Sequence, residues 1–212
     1  MTFNLKISDL KTSNLKTGYS TMRNGTRLAV IAVAALQLAA CASAAKPEAM
    51  IAMPAASAQP FPQGLQHAMC VRAVTGGQKT NALWVSKVDD QSFQTALTAS
   101  LSGAGLVAQG SACSFPVDVN LLGLSQPIAG FDMTVTSHVN YKVYDPAGQP
   151  LVLATIDTPY TADFSAAFVA AERLRLANEG SIRTNIGQFL DKLRQAEVKS
   201  SAPATTAASG GN

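Results

Sequence analysis

Phe131-Asp132-Met133-Thr134-Val135-Thr136-Ser137-His138-Val139-Asn140-Tyr141-Lys142-Val143-Tyr144 alternates in character from end to end. Phe131, Met133, Val135, Ser137, Val139, Tyr141 and Val143 fall on one side; Asp132, Thr134, Thr136, His138, Asn140, Lys142 and Tyr144 fall on the other. Successive side chains of an extended backbone point to opposite faces, so a period of two predicts one strand with an oily face and a wet one. Asp145-Pro146-Ala147-Gly148 then reads as a turn, and Leu151 to Tyr160 as the returning strand of a hairpin.

Upstream, Cys70 to Val74 and Ala82 to Val88 read as strands, separated by Gly76-Gly77 and Asn81. Asp89 or Asp90 can cap a helix whose Phe93, Leu97 and Leu101 share one face, with Gly103 and Gly105 as its stop. Phe115 to Leu124 carries Val117, Val119 and Leu121 in alternation, a half-buried strand. Downstream, Asp163 is placed to cap a helix of about 30 residues, with Phe168, Ala171, Leu174, Ala177 or Asn178, Ile182, Ile186, Phe189 and Leu193 along one stripe. Gly180 and Gly187 inside it cost roughly 1 kcal/mol each relative to Ala, and so mark either a kink or a close approach to the sheet. The expected architecture is α+β: an antiparallel sheet of about four strands with two helices packed on one face, spanning residues 67–195.

The two ends of the chain read differently. Arg23 and Arg27 precede an apolar run from Leu28 to Leu36, followed by Leu38-Ala39-Ala40-Cys41. That tetrapeptide resembles the lipobox of bacterial lipoproteins, which implies cleavage before Cys41 and a diacylglycerol on its thiol. Residues 1–40 are then the signal peptide, with Met22 as an alternative start. An uncleaved membrane anchor is the competing reading, but a spanning helix needs about 20 apolar residues and Gln37 and Ser43 interrupt this stretch. Ala42 after the cysteine implies, by the sorting rule of lipoproteins, the periplasmic face of the outer membrane. Residues 41–66, rich in Ala, Pro, Met, Ser and Gln, read as lipidated cysteine plus flexible tether, and residues 196–212 as a disordered tail.

Cleavage also removes the basic bias. The chain carries +3, yet the leader takes five of its 16 basic and one of its 13 acidic side chains, leaving 11 and 12. Without clustered Lys and Arg there is no nucleic-acid surface to expect.

The order of lipobox, tether, helix, strand meander and long terminal helix resembles the small accessory lipoproteins of the Gram-negative envelope: the lipopolysaccharide-assembly lipoprotein LptE, YajG-like lipoproteins and the auxiliary lipoproteins of lipid-transporting ABC systems. Val74-Thr75-Gly76-Gly77 with Asn81 and Trp84, Gly130-Phe131-Asp132-Met133-Thr134-Val135, and Arg173-Leu174-Arg175-Leu176-Ala177-Asn178-Glu179-Gly180 resemble an uncharacterised family of bacterial lipoproteins more closely. A lipid anchor, a flexible tether, this accessory-lipoprotein plan and the lack of a recognisable catalyst together predict a non-enzymatic protein that binds an envelope protein, lipid or glycan.

The position five after His67 is Arg72 and that after His138 is Val143, so no His-x4-Asp acyltransfer pair exists. Gly123-Leu124-Ser125-Gln126-Pro127 lacks the second glycine of a serine-hydrolase elbow, and neither a phosphate loop nor a His-Glu-x2-His zinc motif occurs. Glu172 and Glu179 remain as carboxylates for an unorthodox site, although on a helix surface they would be solvated. No catalytic residue, cofactor or metal site is therefore expected; His67, Cys70 and Cys113 are too scattered to argue for a metal.

Arg175, Glu179 and Arg183 are spaced to stack as a charge ladder worth about 0.2–0.5 kcal/mol per pair. The sharper alternative makes Arg173, Arg175, Asn178 and Arg183 a binding edge for an anionic headgroup or an acidic partner. Cys70 and Cys113, in an oxidising compartment, are expected to pair, with two buried thiols as the alternative. Trp84 reads as core and His138 as a surface residue. The wet side of the long strand, with Thr134, Thr136, His138 and Asn140, and the sheet edges are candidate docking surfaces. A structural lipoprotein linking envelope layers, or a cell-wall or lipid enzyme, are the competing functions.

Overall fold

The computed structural model describes residues 42–55, 58–81, 85–110 and 113–198. The alternating stretch forms a strand over Met133–Tyr144, here β3 in a sheet whose other strands are β1 (Met69–Thr75), β2 (Phe115–Ser125) and β4 (Pro150–Ala162). Met133, Val135, Ser137, Val139, Tyr141 and Val143 are all buried, as their period requires. Phe131 is not: it precedes the strand and is 80% exposed. The Asp145 carboxylate accepts from the backbone N–H groups of Ala147 and Gln149, and Gly148 takes the left-handed conformation (φ 77°) that closes the β3–β4 turn.

The sheet order is β1-β2-β3-β4, and it is mixed rather than antiparallel throughout, because β1 runs parallel to β2. Helix α2 (Asp90–Gly103) lies between those two strands in sequence and carries the chain back to the starting edge, which makes the second strand parallel to the first. Asp89 caps α2 by accepting from the Ser92 N–H at 2.8 Å, and Phe93, Leu97 and Leu101 are wholly buried. The strand expected over 82–88 reduces, among the described residues, to an isolated Asn81–Val85 bridge; Trp84 lies outside the described residues.

The long helix, α3, spans Ala170–Arg194. Asp163 does not cap it. Its carboxylate accepts from Ala166 N–H and starts a single 3-10 turn, Phe164–Ala166, so the chain bends once more before α3 begins. Phe168 accordingly leaves the buried stripe and stands 86% exposed. Ile182, Ile186, Phe189 and Leu193 join Phe93, Leu97 and Leu101 in one core against Val117, Val119, Val139 and Val143, which places both helices over the same face of the sheet. Tyr141 stacks on Phe189 with ring centroids 4.1 Å apart and gives its hydroxyl hydrogen to Asn185 Oδ1 at 2.8 Å.

The proline-rich segment 41–66 is not the free tether expected of its composition. It includes a third, one-turn helix, α1 (Pro47–Met50), and Ala45, Met50 and Leu65 are buried in the core. Lys46 N–H donates to Glu179, Arg183 donates to Ala49 O, and Arg194 donates to Gln59 O, so the segment runs alongside α3 in the same direction. Met50 and Leu65 are wholly buried and Ile51 and Phe61 pack against the core, which suffices to pin the segment, because fully burying a large apolar side chain is worth about 1.5–3 kcal/mol. Of the stretch 196–212 expected to be a disordered tail, Ala196 and Val198 pack on the core, and residues 199–212 lie outside those described. Cys41 and the leader also lie outside them.

Candidate functional site

Both long helices lie on one side, and among the described residues nothing covers the other face of the sheet. Residue alternation puts the even-numbered side chains of β3 there, and they pair across strands in rows. Thr134 meets Thr161 at 2.8 Å, Asn140 donates to Thr155 at 3.0 Å, and Arg72 grips Asp118 with two hydrogen bonds while lying over the Tyr144 ring. The Arg72 guanidinium holds the Asp118 carboxyl below its ordinary value. An open groove of about 600 Å³ beside this pair is lined by Arg72, Pro116, Tyr144, Asp145 and Gly148.

The row between these crosses three strands. Ser125 Oγ lies 2.9 Å from His138 Nε2, and His138 Nδ1 lies 2.8 Å from Asp157 Oδ1. His138 and Asp157 are direct cross-strand neighbours. Ser125 joins them only because of a β-bulge: the β2–β3 register shifts between Leu121 and Gly123, so that Gly123 faces His138 and Ser125 faces Thr136. Val117, Val119 and Leu121 point to the core, and without the extra residue Ser125 would point there too. Gly123 inside the run is a local hint of a bulge, but the register that brings Ser125 to His138 is set against β3, so the sequence alone leaves His138 as an isolated surface residue.

The residues proposed as an anionic binding edge do not form one. Arg173 is 4% exposed and donates to the carbonyl oxygens of Ala167, Phe168 and Gly130. Arg175, equally buried, pairs with Glu172 and Glu179. Asn178 is fully buried and joins Ser86 O to Gln126, while Arg183 is committed to Ala49 O and lies over the Tyr160 ring. All four serve as internal braces, because the chain segments before β1 and before α3 wrap over the helix face that the bare helical pattern leaves to solvent.

The charge ladder is therefore half right: Arg175 meets Glu179, but Arg183 turns away to Ala49. Glu179 is 2% exposed, contrary to the solvated reading, and also accepts from Lys46 N–H. Glu172 is half-buried, its carboxyl held below its ordinary value by the hydrogen bonds from Arg175.

Cys70 and Cys113 are joined by a disulfide with Cα atoms 5.6 Å apart, tying the edge strand β1 to the segment entering β2. His67 lies apart from them against Gln109, and no group of three or more metal-ligating side chains occurs among the described residues. No described helix is long and apolar enough to cross a membrane.

No protein-family profile matches the chain, and no curated protein does. Among solved structures, a DUF330 protein from Xanthomonas campestris is similar at 9% identity and a TM-score of 0.46, over 68% of this chain and 94% of that one. A lipoprotein candidate from Caulobacter crescentus CB15 shares 14% identity at a TM-score of 0.38, over 49% and 78% of the two chains. A minor lipoprotein from Acinetobacter baumannii shares 9% at 0.37, over 58% and 93%. Likenesses this distant carry no argument about what the chain does.

Proposed function

We propose that this chain is a non-enzymatic accessory lipoprotein of the bacterial envelope, held at the periplasmic face of the outer membrane through acylated Cys41, and that it engages an envelope partner with the open face of its sheet. The observation that carries the binding half is the pre-ordered face itself. Four cross-strand rows hold polar side chains in place, and no element among the described residues covers them, so binding there loses little side-chain entropy. The anchoring half rests on Leu38-Ala39-Ala40-Cys41 behind its apolar run.

Photo-crosslinking residues placed at Thr136 and Asn140 in living cells should each trap one discrete envelope protein. The same residue at Asp191, exposed on the helix side, should not. Failure to obtain an adduct specific to Thr136 and Asn140 would remove the docking face.

One observation favours a second reading, a hydrolase. With Nδ1 protonated, His138 donates to Asp157 and accepts from Ser125, the order in which a serine is activated for attack on a carbonyl, with Nε2 taking the hydroxyl proton. Asp157 is 60% exposed, however, and the row lies on an open sheet where water screens the charges that drive such chemistry. The binding reading therefore takes precedence. A fluorophosphonate that labels the protein, but not its Ser125→Ala or His138→Ala variants, would reverse that order.

A further inference from the structure

Eight large hydrophobic side chains are exposed among the described residues, and five of them, Ile128, Phe131, Phe164, Phe168 and Val169, belong to two loops at one end of the sheet. Those loops connect β2 to β3 and β4 to α3. Scattered exposed apolar residues need no explanation; a concentrated group does.

This group is also built. Phe164 packs edge-on against both Phe131 and Phe168, with centroids 5.9 and 5.8 Å away. Arg173, buried beneath, donates to Ala167 O and Phe168 O in one loop and to Gly130 O in the other, and lies over the Phe164 ring. Phe164 N–H in turn donates to Asp132 in the opposite loop at 2.9 Å. The two loops are thus one rigid mount that holds three aromatic rings outward.

The path of the chain says what they face. The N-terminal segment runs along α3 in register, with Lys46 beside Glu179, Ala49 beside Arg183 and Gln59 beside Arg194. Tracing it backwards therefore leads toward Ala170, where α3 leaves the aromatic loops. Ala45 N–H donates to Lys87 O, and Lys87 Nζ donates to Gln126, the residue that opens the β2–β3 loop, so the segment just after Cys41 lies beside the aromatic end; the β3–β4 turn lies at the other end of the strands.

We infer that the Phe131–Phe164–Phe168 end is a membrane-seating tip that enters the interface of a phospholipid bilayer beside the acylated cysteine. The domain then stands on the membrane, fixed to its anchor by the packed segment after Cys41. The two loops carry Asp132 and Asp163 and no lysine or arginine, so the tip inserts by apolar contact and suits a zwitterionic headgroup layer. This deepens the anchoring reading and rests on it for the end that meets the lipid.

The test uses the full chain isolated from cells, carrying an environment-sensitive fluorophore on Phe168→Cys, on Phe131→Cys or, as a control, on Ala147→Cys in the β3–β4 turn. Reconstitution into vesicles of phosphatidylethanolamine and phosphatidylcholine should blue-shift the first two with a several-fold rise in emission, quenched by lipids labelled near the headgroup and little changed by salt. The probe at 147 should remain in water. Probes at 168 and 131 as wet as that at 147 would overturn the inference. So would a blue shift that appears without vesicles and grows with protein concentration, which would assign the rings to a second copy of this chain. The intact mass of the same samples reads the anchor separately: acylated protein with a wet tip sinks the inference alone, and unacylated protein with a dry tip sinks only the anchoring reading.

Discussion

Tyr160 occupies the space that a side chain on Gly180 would need: a Cβ there would lie 2.3 Å from both Cδ1 and Cε1 of the ring. The helix crosses β4 at that point with no room between them. Of the two explanations for a costly glycine inside α3, the close approach is the one the packing supports.

Gly180→Ala should therefore destabilise the protein by about 1–2 kcal/mol, the overpacking cost outweighing the gain in helix propensity. At Gly187 a Cβ would meet only Ala52 Cβ, at an ordinary 4.0 Å. Gly187→Ala should stabilise by about 0.5–1 kcal/mol. Urea unfolding of the two variants reads both; the same sign for the two would contradict this account of the helix.

Glu179 neutralises a buried guanidinium and also receives the Lys46 N–H. Glu179→Leu should cost about 1–3 kcal/mol, because it leaves the Lys46 N–H without its acceptor and Arg175 with Glu172 as its one remaining carboxylate, while Glu179→Gln, which keeps an acceptor, should cost less. If both changes are neutral in unfolding experiments, Arg175 is not an internal brace and the abandoned binding edge returns.

Acid should destabilise the fold in a defined window. The carboxyls of Glu172 and Asp118 are held below their ordinary values of 4.5 and 3.8, chiefly by hydrogen bonds from Arg175 and Arg72. Their contribution is complete above those values and is lost as the pH falls through the lower folded ones. Thermal midpoints should be flat near neutrality and fall below about pH 4.5, and Glu172→Gln should flatten the upper part of that fall. A decline already under way at pH 6 would need another group.

Reducing the Cys70–Cys113 bond opens a loop with a sequence separation of 43. In the chain-entropy account that costs about 4 kcal/mol, so the urea midpoint should drop on addition of reductant. Alkylation without reductant should leave both cysteines unmodified; two modified thiols would refute the bond.

Tyr141 is the other buried polar group whose loss can be priced. Tyr141→Phe preserves the stack on Phe189 but leaves Asn185 Oδ1 without its donor, a loss of about 1–3 kcal/mol. Burial also pushes the Tyr141 phenol well above its ordinary value. The unfolded phenol ionises first, so alkaline destabilisation should begin above about pH 10, and it should be weaker in the Phe variant.

What the sequence determined by itself is what short-range stereochemistry controls. The alternation over Met133–Tyr144 commits that stretch to a two-faced strand wherever it sits, Asp145 and Gly148 carry their own turn, and the spacing of Phe93, Leu97 and Leu101 commits α2 to one buried face. Tertiary structure decided what depends on partners distant in the chain. The parallel pairing of β1 with β2 follows from the path of α2 over the sheet, and the Ser125–His138–Asp157 row from one extra residue in β2 measured against β3. The burial of Arg173, Arg175, Asn178 and Glu179 follows from segments more than 40 residues away in several contacts. Periodicity records which side of an element is apolar, but a charged side chain becomes a brace or a surface group only when another segment removes its water, and that segment's arrival leaves no mark in the local pattern.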